Sequence, residues 1–125
     1  MNATELARRN YSAGAAPTRD PRSIEYELIA AATHRMKAAA EKGKAAFPEL
    51  VRALHHNREI WAVLAMDVAD EGNALPDDLR ARLFYLAEFT RVHTGRVLNE
   101  RASVRPLLEI NTAILVGLRN STQAT

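Results

Sequence analysis

"LHHNREIWAVL", residues 54–64, places two adjacent histidines, an asparagine, an Arg-Glu pair and the chain's single tryptophan within about three turns of helix. Extended in both directions, the stretch lies on a seam. Leu50, Leu54, Asn57, Trp61, Leu64 and Val68 follow one another at intervals of 4, 3, 4, 3 and 4. Apolar residues alternating by four and three line one side of an α-helix and form the contact strip between packed helices. The same spacing returns in Leu79, Leu83, Leu86, Thr90, His93 and Val97, and again in Leu107, Asn111, Ile114 and Leu118. A helix before residue 41 has a weaker strip of Ile24, Leu28, Ala32 and Met36 among many alanines. The pattern predicts an all-α, small four-helix bundle-like domain. Each of the three strong seams holds an interior polar position, and each such position must find a hydrogen-bond partner or cost about 1–3 kcal/mol.

Punctuation sets the boundaries. "APTRDP" at 16–21, "EKGKAAFP" at 41–48, "DEGNALP" at 70–76 and "SVRP" at 103–106 each end in proline, which fits the first helical turn, where its missing N–H has no partner to lose. The predicted helices are 21–41, 48–70, 76–101 and 106–119. Asp20 is a suitable N-cap, and Asp77 with Asp78 puts two carboxylates at the positive end of the third helix. No alternating run with flanking turns predicts a strand. Residues 1–20 read as a flexible N-terminal segment or a short helix, 21–119 as a single helical domain, and 120–125 as a flexible tail.

The 125 residues suffice for one domain with its own core. The formal charge is only +2, and the pI of about 9.3 arises because most cations are arginines. Charges are dispersed, without the block of like sign that nucleic-acid or membrane-surface binding favours. Cysteine is absent, which excludes disulfides and thiolate chemistry. No membrane span and no secretory leader are read from the sequence, so a cytoplasmic location is expected. His55 and His56 diverge by about 100° around a helix and cannot share an ion without distortion. No metal is expected there, and with no phosphate loop, nucleophile elbow or pocket-forming carboxylate pair, no cofactor, catalytic residue or enzymatic activity is expected. Arg58, Arg80, Arg82, Arg91 and Arg96 read as solvated faces with helical ion pairs. RNA binding would need aromatics interleaved with them on the surface.

Trp61 reads as core, and its indole N–H needs an acceptor, for which Asn57 and Asn111 are candidates. These asparagines either specify helix register or line a partner groove. The third helix has more apolar surface than one seam requires, because Tyr85, Phe89 and Val92 form a second stripe. Either the first helix covers that stripe or it forms a groove for a partner helix, and the two coincide if a partner displaces the first helix.

Three stretches together resemble a known family. They are A-L-x-x-N-R-x-x-W (Ala53, Leu54, Asn57, Arg58, Trp61), D-x-A-x-x-x-N-x-L-P-x-x-L-R (Asp67, Ala69, Asn73, Leu75, Pro76, Leu79, Arg80) and E-I-N-x-x-I-x-x-G-L (Glu109, Ile110, Asn111, Ile114, Gly117, Leu118). Over about residues 11–118 the chain resembles the flagellar biosynthesis regulator FlaF family. The resemblance implies a non-enzymatic, all-helical protein that binds flagellin in the cytoplasm, promotes its synthesis and export, and opposes the translational repressor FlbT. Two alternatives stay open: a regulator acting directly on flagellin mRNA, and an adaptor for FlbT or the export apparatus. The oligomeric state and the flagellin segment bound are not legible.

Overall fold

The structure, a computed structural model, describes residues 21–123, and the segment 1–20 and the last two residues of the predicted tail lie outside it. Four α-helices follow in order: α1 Pro21–Glu41, α2 Phe47–Ala69, α3 Asp77–Glu100 and α4 Arg105–Gln123. A short 3-10 turn, Lys44–Ala46, leads into α2. No strand occurs among the described residues. Observed and predicted helices differ by a residue or two except at the end of α4, which runs to Gln123 and so takes up part of the predicted tail; "NSTQ" at 120–123 contains no residue that breaks a helix.

Local chemistry explains the joints. After α1 the chain reverses through Gly43, whose φ of 79° suits a residue without Cβ. Pro76 stands just before α3, and its carbonyl accepts the Arg80 N–H at 2.9 Å, opening the first turn with Asp77 and Asp78 on its positive end. At the other end Arg101 takes the left-handed conformation, φ 58°, and the Ala102 N–H returns to the Arg96 carbonyl at 3.2 Å. Ser103 Oγ then accepts the Arg105 N–H at 3.1 Å, capping α4.

α2 is the central element. It packs against α1 on one side and α3 on the other, while α4 lies along α1 and meets α3 only slightly. One apolar cluster joins all four helices through Met36, Ala53, Leu54, Val97 and Leu107. A second joins only α1, α2 and α4, through Ile29, Ala32 and Ile60 with Leu64, Ile114 and Leu115 against them. The alanines of α1 are therefore functional packing residues: Ala32 and Ala39 are buried and let α1 approach its neighbours closely. Among the described residues, the first half of α3 has no second layer over it. Leu79, predicted on the seam, is 39% exposed, because at that end α3 has only α2 to pack against. No helix among the described residues is long and apolar enough to cross a membrane.

Candidate functional site

The residues singled out from the sequence fall into three groups, and the first is buried. Trp61 on α2 is 1% exposed, and its Nε1–H donates to Asn111 Oδ1 at 2.9 Å. Asn111 Nδ2 donates to Asn57 Oδ1 at 2.8 Å and to Thr33 Oγ1 at 3.0 Å. Thr33 in turn donates to the Ile29 carbonyl one turn earlier, at 2.6 Å. One α4 side chain thus satisfies groups on α1 and α2 inside the apolar core. A misplaced helix would leave several buried polar atoms unpaired, so the arrangement selects a single register. This is a register device, and neither asparagine lines an open groove, since both are buried.

Other interior polar positions behave less uniformly. His93 stacks on Phe89, with ring centroids 5.4 Å apart, and its Nε2–H donates to the Ser103 carbonyl at 2.7 Å, tying α3 to the following loop. Thr90 departs from expectation. Its Oγ1 is buried with no hydrogen-bond partner among the described residues, as is Asn57 Nδ2.

The second group builds the α2–α3 corner. Asn73 Nδ2 donates to the Asp67 carbonyl at 3.0 Å, and its Oδ1 accepts the Leu75 N–H at 2.9 Å. Arg80 corrects its sequence reading as a solvated face. It reaches back across the corner, donating from Nε to the Val68 carbonyl at 2.8 Å and from Nη2 to the Asp70 carbonyl at 2.9 Å. Those carbonyls lie at the end of α2, where backbone acceptors lack helical partners and a cation complements the dipole. Asp77 is a secondary partner at 3.6 Å. Asp67, close by, has its carboxyl pKa raised above 3.8 by burial and by the neighbouring Asp70 charge. Arg58 is engaged locally, donating to His55 Nδ1 at 2.9 Å, with His55 exposed and His56 half-buried. Arg91 and Arg96 do form the expected helical pairs, with Glu88 and Glu100.

The third group is the second stripe of α3, which α1 does not cover. Tyr85 is 67% and Val92 48% exposed, and Phe89 is half-buried on His93. Of the two alternatives, cover by the first helix is not the one found, because α1 packs on α2 and α4. Phe84, 48% exposed, adds a ring that the heptad reading passed over. Only its position one residue from Tyr85, off the seam, could have marked it.

The molecule is thus a small helix bundle whose motif residues serve its interior and one corner, with the Phe84 and Tyr85 rings exposed side by side on α3. A family model described as "Flagellar protein FlaF" matches residues 7–118, and the chain belongs to that family. Comparison with curated proteins and with solved structures gave no match.

Proposed function

We propose that the chain is a non-enzymatic flagellar regulator and export chaperone that holds an amphipathic helix of flagellin in the cytoplasm, promoting flagellin synthesis and secretion in opposition to FlbT. Membership of the FlaF family supports the flagellar role. The observation that carries the binding reading is the exposed stripe of Tyr85 and Val92, extended by half-buried Phe89. An amphipathic helix buries its apolar face in such a surface, and aromatic anchors at the centre dominate the affinity. Since α1 does not cover the stripe, flagellin needs to displace no helix among the described residues.

The test is calorimetric titration of the full chain with purified flagellin after nuclease treatment. Tyr85→Ala weakens binding by about 1–2 kcal/mol or more, and Val92→Asp, which sets a charge in the stripe, abolishes it. Both variants keep a helical, cooperative circular-dichroism melt, because Tyr85 is about two-thirds and Val92 about half in solvent. Full affinity in both variants removes this stripe as the docking surface. Flagellin binding that vanishes with nuclease, or falls steeply with salt, supports action through mRNA instead.

A further inference from the structure

The end of α1 and the start of α2 enclose a half-open cleft of about 380 Å³. Buried Ala39 and Ala53 contribute to its floor, and Arg35, Lys42 and Arg52 stand around it with Glu49. Lys42 Nζ holds Glu49 Oε2 at 3.0 Å, which occupies the one carboxylate of the lining. Arg35 and Arg52 have no carboxylate partner among the described residues. For Arg35 this is written in the sequence, because the positions three and four residues away on either side are Ala31, Ala32, Ala38 and Ala39. Arg91, Arg96 and Arg105, by contrast, each pair with a glutamate three or four residues away. Arg58, Arg82, Arg101 and Arg119 also lack a carboxylate partner among the described residues, but they are scattered, whereas Arg35 and Arg52 come from two helices to one concavity.

We propose that this cleft binds the phosphate dianion of a small phosphorylated molecule. Three cations and one carboxylate leave a surplus of two positive charges in the lining, which a phosphate monoester neutralises and a single carboxylate does not. Guanidinium forks match phosphate oxygens bidentately, and the cleft has the volume of a small-ligand site. The one ring in the lining is the His34 imidazole, which falls short of the series of aromatic platforms on which an RNA track stacks successive bases. It shares no residue with the α3 stripe, so it stands or falls independently of flagellin binding.

The experiment titrates isotopically labelled full chain with inorganic phosphate, pyrophosphate and glucose 6-phosphate at constant ionic strength, with acetate as the monoanion control, following amide resonances. Saturable shifts confined to residues 34–53 are expected with the phosphates and not with acetate. Arg35→Ser and Arg52→Ser each weaken binding by about tenfold or more, Arg52→Lys loses less, and Arg91→Ser changes nothing. Both serine variants remove exposed side chains, and unchanged circular dichroism checks that they fold. A sugar phosphate binding more tightly than inorganic phosphate assigns part of the affinity to the alanine floor, and equal binding assigns it to the phosphate alone. No saturation, an equal response to acetate, or shifts that persist in both serine variants overturns the proposal.

Discussion

Asn111 and Asn57 carry the same side chain, are both buried and belong to the same network, yet they do unequal work. Truncating Asn111 leaves the Trp61 N–H and Asn57 Oδ1 unpaired and takes one partner from Thr33, whereas truncating Asn57 removes one acceptor from an Asn111 amide that still has Thr33. Asn57→Ala also removes an Nδ2 that has no partner. The two variants delete the same atoms, so their difference isolates the hydrogen bonding. Asn111→Ala is expected to be less stable than Asn57→Ala by about 1–3 kcal/mol in urea unfolding. Equal losses would mean that cavity formation alone sets the cost. The sequence marked both asparagines by their seam positions, and marked Trp61 as needing an acceptor. It offered both asparagines as acceptors for Trp61 but could not choose Asn111 over Asn57, because the partners lie 50 and 54 residues apart and only tertiary packing brings them together. Thr90 shows the opposite failure. The rule that an interior hydroxyl finds a partner is a tendency of folded proteins, and the Thr90 hydroxyl is buried without one among the described residues.

Between helices, the α2–α3 corner shows how a residue's sequence neighbours can mislead. Arg80 has Asp77 three residues before it, which suggests a surface ion pair, but the chain reversal presents the last carbonyls of α2 as better acceptors. That the corner is a corner was legible from Asn73, Gly72 and Pro76; which side chain closes it was not. Asp67 is the strained member. Its pKa in the folded chain lies above 3.8, so the fold disfavours its charge, and the resulting penalty is fully present above the folded-state pKa and gone below 3.8. Asp67→Asn carries no such charge. The variant should therefore melt above the parent at pH 7, with the gap closing as pH falls through the folded-state value toward 3.8. A variant that melts lower at pH 7 would show that the carboxylate makes a favourable contact that outweighs its burial. Thermal melts of both proteins across pH 3–8 measure this, since other titrating groups are common to the pair.

Taken whole, the bundle is uneven. Its all-α class and four helices were legible because the seams are long and regular, but the layering was not, since the alanine-rich α1 gives a weak periodic signal and hides how firmly it packs. Four helices share one apolar cluster, and the first half of α3 stands outside it with α2 alone beneath. Amides of Leu83–Glu88 are expected to exchange with opening free energies roughly 1–3 kcal/mol below those of Thr90–Val97, measured by native-state hydrogen exchange. Uniform protection along α3 would mean that the helix opens only with the whole fold. The Asn111 contacts also set a schedule for the chain's birth. Thr33 and Asn111 are separated by 78 residues, and at roughly 5–20 residues per second the ribosome delivers the second about 4–16 seconds after the first. Until α4 is made, the Trp61 N–H lacks the Asn111 side-chain carbonyl that accepts it, so this part of the core is sealed only when α4 arrives, and a nascent chain stalled before α4 is a client for chaperones and proteases.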